Sequence, residues 1–454
     1  MEAFDDAVRG HRCAERAFAE GRYRDVVHQG LELLPLLREL TDARARQLRL
    51  DTLRLVLDAS ELWWSDGNAP VLGMSQKSLV DEAWQTAASL GDSRSRAIAA
   101  LLRGRFLVGA NGLTEGVAAL AMATSLAEAS EDELLLVDAL TLLGHHTIGR
   151  SMEQGGRLLD RARQVAAGFT GRPMNDSAHW TLRTAKLNCM SGVAEFDRGR
   201  FDEGERLLRL AVAEAAGAGL RDLRATSTNY LSQLLIAAGR FAEAEAMLSA
   251  EIDSLGGYAA DSPHQAYNRA LLGKARLEDA RPAEAAGEII AAWALQSSRP
   301  HKGIATLVRN YLAELLLHPA YTRRDPARAE RLLHKSVDEC RRTGYQRSEV
   351  AARCLLATAC LELRSSHEAV DHSSKAVRRL EEAGGAMPAL RSEEVYYLHH
   401  TVLLRLGRDR EATRALGEAQ RLILAKANTI ADPARRRTFL RAVPLNRAAL
   451  APTN

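Results

Sequence analysis

At 454 residues the chain is long enough for two or three globular domains or for one elongated array. Hydrophobic residues make up 46% and aromatics only 5%, and Ala, Leu, Arg and Glu outnumber the β-branched residues, a balance that favours helix throughout. The formal net charge of +3 is too small for a chain built as a polycation, and no stretch approaches the roughly 18–20 apolar residues of a membrane span.

Charge is uneven along the sequence. Residues 321–450 carry 25 Lys+Arg against 16 Asp+Glu, and the remainder carries 36 against 42. No basic run with interleaved aromatics accompanies this excess, so a solvated helical surface is expected rather than a nucleic-acid interface. The five cysteines (Cys13, Cys189, Cys340, Cys354, Cys360) show no CxxC spacing. Cys13, Cys354 and Cys360 fall among apolar helical positions, where a thiol is expected to act as a small hydrophobe. The acidic start, Met-Glu-Ala-Phe-Asp-Asp, lacks the basic-then-apolar pattern of an export signal, which points to the cytoplasm.

In chain order, residues 1–40 read as a first helical hairpin, with the turn Gly21-Arg22-Tyr23 between Ala14 and Val26. Residues 41–100 read as an irregular helical unit, broken by an inserted loop at Trp63-Trp64-Ser65-Asp66-Gly67-Asn68-Ala69-Pro70. From 101 to 428 one pattern dominates. A small residue recurs twelve positions ahead of another: Gly104/Gly116, Gly144/Gly156, Gly192/Gly204, Ser232/Ala244, Gly273/Ala285 and Ala357/Ala369. A residue without bulk on each of two successive helices lets their backbones approach closely, and Gly199-Arg200-Phe201, Gly239-Arg240-Phe241 and Gly407-Arg408-Asp409 supply turns between them.

The helical stripes agree. In 225–239, Tyr230, Leu231, Leu234, Leu235 and Ala238 share a face, with the partner helix over 242–252. Further pairs are read over 183–197 with 202–216, 265–279 with 283–297, 350–363 with 367–382, and 392–406 with 410–427. Asp325-Pro326 is an N-cap/N1 start that supplies the remaining hairpin. The period is near 40, which predicts about nine or ten hairpins. Residues 429–454 read as a capping helix and tail, begun by Asp432-Pro433, with Phe439, Leu440 and Val443 covering the last apolar face.

These residues resemble the tetratricopeptide-repeat (TPR) family. Leu143-Gly144, Leu272-Gly273 and Leu356-Ala357 match its first-helix signature, and Gly239-Arg240-Phe241-Ala242-Glu243-Ala244 its turn and second helix. The period is longer than usual and the Pro that ends each unit is rare. The resemblance implies an all-α, right-handed superhelical solenoid. The segment Ile430–Leu440, followed by Val443-Pro444-Leu445-Asn446-Arg447, is similar to the end of helical-repeat regions in large bacterial regulators, among them signal-transduction ATPases and adenylate-cyclase-like activators.

Chemistry-bearing motifs are thin. The single Gly-Lys, Gly273-Lys274, is followed by Ala275 and fails the phosphate-loop pattern. His145-His146 and His399-His400 are adjacent and diverge on a helix, and His367 and His372 are five apart, so no metal site is expected. Neither catalysis nor a cofactor is expected. In this repeat the inner wall is formed by first-helix residues three before and one after the small position. The resemblance therefore selects Asn229 and Gln233 around Ser232, Lys274 after Gly273, and Tyr397 and Thr401 around His400. By looser alignment it selects Asn310 and Glu314. Such amides bind peptide main chain, and Lys274 a carboxylate. Trp63 and Trp64 are expected either to plug the seam beside the loop or to anchor a partner.

Together these imply a cytoplasmic bacterial scaffold recognising a protein or peptide in a concave groove, in signalling or transcriptional control. The alternative is a ligand-gated sensor that changes assembly on binding a peptide or small effector. A homo-oligomer is compatible with either.

Overall fold

The computed structural model describes residues 2–63, 70–110, 113–149, 151–169, 177–255, 263–298 and 304–452. Its described residues form 22 helices, with one isolated bridge between Val71 and Met74.

The chain divides into two compact units. The first comprises Met1–Thr147, Glu153–Met190 and Ala213–Leu223, and the second Ile148–Met152, Ser191–Val212 and Arg224–Asn454. The hairpins begin with α1 (Glu2–Ala19) and α2 (Tyr23–Glu39), then α3 (Ala43–Trp63) and α4 (Gln76–Leu90). Next come α5 (Ser93–Ala110) with α6 (Leu113–Ala129), and α7 (Glu133–Ile148) with α8 (Met152–Ala167). They continue with α9 (Ser177–Asp197) and α10 (Phe201–Gly217), and α11 (Arg221–Ala237) and α12 (Phe241–Leu255). The last four are α13 (Pro263–Glu278) with α14 (Pro282–Ser298), α15 (Ile304–Leu317) with α16 (Pro326–Thr343), α17 (Gln346–Glu362) with α18 (Ser366–Glu382), and α19 (Ser392–Arg405) with α20 (Asp409–Ala427). Two short helices, α21 (Pro433–Ala442) and α22 (Pro444–Ala449), end the chain. First helices touch in α1 with α3 and α3 with α5 of the first unit, and in α13 with α15, α15 with α17 and α17 with α19 of the second.

The small residues act as their spacing requires. A Cβ on Gly192 would lie 3.1 Å from the Gly204 carbonyl oxygen, and one on Gly273 would lie 3.0 Å from that of Ala285. No larger residue fits while the helices stay in place. Gly144 differs by one position: its close neighbour is the Gly155 carbonyl oxygen at 3.0 Å, not Gly156. The turn glycine Gly199 takes φ +79°, and Arg200 N–H returns to the Glu195 carbonyl at 2.8 Å, a left-handed helix stop that favours glycine.

Helix starts also follow the sequence. Asp325 accepts from Arg328 N–H at 2.9 Å ahead of Pro326, and Asp432 accepts from Ala434 and Arg435 N–H ahead of Pro433. Apolar side chains pack between the hairpins, and Leu312, Leu316, Leu333, Leu356 and Ala357 form one cluster in the second unit. Each such leucine contributes about 1.5–3 kcal/mol by leaving water. Cys13 is not part of the core. It is exposed, because Ala7, Ala14 and Ala17 take the inward face of α1 and leave position 13 turned about 100° away.

The closing helices do more than cover the last hairpin. Phe439, 1% exposed, packs its ring 5.3 Å from that of Phe201 at the start of α10. Thr429 Oγ1 donates to the Gly199 carbonyl at 2.6 Å, Ala431 N–H donates to Asp202 at 2.7 Å, and Arg435 pairs with Glu205. Val443 lies against Gly239. Within the second unit, the C-terminal end is thus bound to turns about 200 positions earlier. No helix among the described residues is long and apolar enough to cross a membrane.

Candidate functional site

In the second unit, the inward positions of α11, α13 and α15 carry polar side chains that first meet one another. Asn229, 2% exposed, donates from Nδ2 to Asn268 Oδ1 at 2.9 Å. Gln233 Nε2 donates to Asn229 Oδ1 at 2.8 Å and to the Tyr267 hydroxyl at 3.2 Å. Asn310 is buried and donates from Nδ2 to the Ser348 carbonyl at 3.2 Å. These amides join neighbouring repeats. Gln233 reaches the inner face, whereas Asn229 and Asn310 act behind it as positioning groups.

An ionic layer continues the row. Lys274, 8% exposed, pairs with Glu278 at 2.9 Å and with Glu314. Arg391, just ahead of α19, reaches Glu278 at 2.7 Å and Glu394 at 2.9 Å, and Lys426 of α20 meets Glu393 at 2.5 Å. Burial pushes the Glu278 carboxyl up, but the charges of Arg391 and Lys274 outweigh it and hold the group down to about 2. Glu314 shares Lys274 yet is shifted upward. Burial dominates there, and Glu394 and Glu278 add like charge while Lys274 is its one cation.

A cavity of about 80 Å³ opens beside this layer, lined by Asp197, Gln233, Lys274, Tyr311, Arg391 and Lys426 together with apolar groups that include Phe196 and Leu390. Asp197 Oδ1 accepts the backbone N–H of Ala389 at 2.6 Å. Its Oδ2 is buried without a hydrogen-bond partner among the described residues, and so is Nη1 of Arg391. Burial raises the Asp197 carboxyl to about 7, against the Ala389 N–H bond and the attraction of Arg347 and Lys426. Burial works against the Arg347 guanidinium, but a hydrogen bond to Tyr267 and the nearby Tyr311 and Tyr230 hold it above the ordinary arginine value. The arrangement offers hydrogen bonds and charge to a small polar group.

The structure therefore gathers Gln233, Lys274 and Glu314 in one region, with Asn229 close behind. Tyr397 and Thr401 lie together in α19, away from the lining: the Tyr397 ring is 5.7 Å from His400, and Thr401 donates to the Tyr397 carbonyl at 3.0 Å. The Trp63 side chain and the whole of Trp64 lie outside the described residues. Asp197, Arg347, Arg391 and Lys426 escape the repeat rule because they stand at helix ends, a turn and a second helix. Tyr230 and Tyr311 are different: each stands two before its small residue, Ser232 or Ala313, a regularity readable in the sequence.

His145 is buried and pushed down to about 4, first by burial and then by Lys186. Glu330, Cys360 and Glu368 bring three ligand atoms within 4.8 Å of one another and could hold a metal ion. The Cys360 thiol already donates toward both carboxylates at 3.9 Å, and burial plus those charges push it up to about 12. A metal would have to displace that proton.

No family model matches the chain, and no curated protein matches it. Solved structures do. The apo form of the quorum sensor NprR from B. thuringiensis is similar at a TM-score of 0.51 and 11% identity, over 92% of this chain and 99% of that one. Aspartyl phosphate phosphatase F from Bacillus subtilis is similar at 0.50 and 10% identity, over 82% and 93%. At such identity the likeness is one of fold, and with the stacked hairpins it establishes a TPR-like helical-repeat architecture for this chain.

Proposed function

We propose that the protein is a non-catalytic regulator that recognises a peptide in a groove on the inner face of its second unit. The observation carrying this reading is the convergence of Gln233, Lys274 and Tyr311, from three successive first helices, on one cavity. A wall built from rigid stacked helices is pre-organised, so little ordering accompanies binding. The fold neighbours support it by analogy: one is a quorum sensor by name.

The other neighbour is a phosphatase by name, which raises the question of catalysis. The groups at this cavity support a binding role. Lys274, Arg391 and Lys426 are each neutralised by carboxylates of the fold. The buried thiols of Cys340, Cys354 and Cys360 are all pushed upward, chiefly by burial, which disfavours a nucleophilic thiolate. The resemblance of residues 430–447 to repeat regions of bacterial regulators fits a place in signalling or transcriptional control, and partner release on ligand binding is the sensor form of the same idea.

The test is retention of random heptapeptides by the immobilised protein, identified by mass spectrometry. Enrichment of a sequence class, lost on Lys274→Ala with the fold intact, is the expected result. Retention indistinguishable from bare matrix would remove the peptide reading.

A further inference from the structure

We infer that Glu330, Cys360 and Glu368 form a binding site for one zinc-class divalent transition-metal ion, which ties α16, α17 and α18 together. Their ligand atoms come from three helices and lie within 4.8 Å of one another. Cys360 is 0% exposed, and its sulfur is aimed at an oxygen of each glutamate, 3.9 Å away in both directions. Among the described residues the thiol has no partner outside the cluster, and one S–H serves only one of the two oxygens at a time. The glutamates stand 30 and 8 positions from Cys360 in sequence, so no ligand spacing announces the site.

The two glutamates lack the cation that their repeat equivalents possess. Glu330 is one position after the small residue Ala329 of α16, and Glu368 is one before Ala369 of α18. The same two positions hold Glu205 and Glu243 at one earlier junction of the second unit, and Glu245 and Glu284 at the next. There an arginine four before the second small residue bridges both carboxylates. Arg240 pairs with Glu205 and Glu243, and Arg281 with Glu245 and Glu284. At the α16–α18 junction that position is Ser365. Arg276, which also meets Glu245 at 2.9 Å, stands three after Gly273, and the equivalent three after Ala357 is Cys360. Both carboxylates are kept and both cations are gone. No Lys or Arg pairs with Glu330 or Glu368 among the described residues, so the junction has room for a cation from solution.

The donor set decides which cation. A thiolate is too soft for magnesium or calcium, and two carboxylates are too hard for monovalent copper. Zinc takes both donor types, with Zn–S at about 2.3 Å and Zn–O at about 2.0–2.2 Å. At the tetrahedral angle those bonds set S···O separations of about 3.5 Å, so a small rotation of each glutamate closes the present 3.9 Å. Binding breaks the Cys360 S–H bond: the sulfur keeps the electron pair and shares it with the ion, and one proton leaves to solvent. Three negative ligands then face two positive charges, and a water takes the fourth position. Glu368 is exposed and Glu330 half-buried, so the ion enters from solvent past the glutamates, with Cys360 as the buried end of the site.

The experiment uses the full chain, stripped with a chelator, and Zn²⁺ or Co²⁺ alone as the probe. The expected result is one saturable equivalent, a melting temperature raised by Zn²⁺, and a thiolate-to-cobalt charge-transfer band. Cys13 is exposed, so Cys13→Ser is the control and should keep the band. Cys360→Ser should remove the band and weaken Zn²⁺ more than about tenfold. Glu368→Gln, at an exposed side chain, should weaken Zn²⁺ likewise and leave the melting temperature of the metal-free protein unchanged. Ser365→Arg supplies the arginine of the equivalent junctions, and should remove both the band and the zinc-dependent rise in melting temperature. Should Cys360→Ser fail to fold, these last two variants decide the matter. A band that survives Cys360→Ser and disappears with Cys13→Ser puts the ion on the exposed thiol and overturns the site. Zn²⁺ binding unaffected by Glu368→Gln, displacement of Zn²⁺ by an equal concentration of Mg²⁺, or no saturable binding at all overturns it as well.

Discussion

Asp197 accepts the backbone N–H of Ala389 at 2.6 Å across 192 positions of sequence. One carboxyl at the end of α9 thereby fixes the segment that presents Arg391. The bond brings a titratable group into a setting where its charge is costly.

The pH dependence follows from the direction of that shift. Asp197 is raised from an ordinary value of 3.8 to about 7, so its stabilising share is full below about pH 4 and is lost as pH rises through about 7. Asp197→Asn keeps the acceptor for Ala389 N–H and cannot ionise. It should match the parent near pH 4 and exceed it by on the order of 2 kcal/mol at pH 8, allowing for partial exposure. Urea unfolding at the two pH values measures this. A parent that gains on the variant with rising pH would contradict the buried carboxyl.

Glu278 is the counter-charge shared by Lys274 and Arg391. Glu278→Gln leaves Lys274 with Glu314 and Arg391 with Glu394 but removes the carboxylate they share, and should cost about 1–3 kcal/mol. The carboxyl is held down to about 2, so its stabilisation is present above the ordinary carboxylate range and is lost as pH falls toward 2. Acid titration followed by circular dichroism should show the parent's advantage over the variant shrinking below about pH 4.

Two glycines on the α13–α14 hairpin should respond in opposite directions. A Cβ on Gly273 would lie 2.5 Å from Ile289 Cγ1 and 3.0 Å from the Ala285 carbonyl, whereas one on Gly287 would meet nothing within 4 Å. Gly273→Ala should cost about 1–3 kcal/mol by forcing the helices apart. Gly287→Ala should stabilise by about 0.5–1 kcal/mol through helix propensity. Melting temperatures of the two variants check both signs.

Phe439→Ala removes a fully buried ring from its place against Phe201. The cost should be about 3–5 kcal/mol. Hydrogen exchange should quicken in α21 and in the 199–201 turn, with α1–α6 unchanged. Uniform exchange across the chain would mean that the closing helices do not hold those turns.

Gln233 and Lys274, which the repeat rule selects, stand beside the cavity because their positions are local: both follow a small residue on a first helix. The rule selected Asn229 and Asn310 equally well by position, and the structure buries both in bonds between repeats. Position on a helix specifies a face, but not whether the next helix already supplies the partner. Cys13 shows the same limit from the other side. It sits among apolar neighbours, yet exposure was decided by a rotation of one residue around α1.

What the sequence by itself determined is the local order: amphipathic helices, their Asp-Pro starts and glycine stops, and the close pairing that small residues such as Gly192 and Gly204 allow. Those features act over a dozen or so positions, within reach of backbone sterics and helical periodicity. Only the tertiary structure decided that the end of α9, the loop before α19 and the last helices meet. Asp197, Arg391 and Lys426 are ordinary polar residues in sequence. They become a cavity with unmet hydrogen-bonding groups because the small geometric step of each hairpin accumulates over many repeats, and no local pattern encodes that sum.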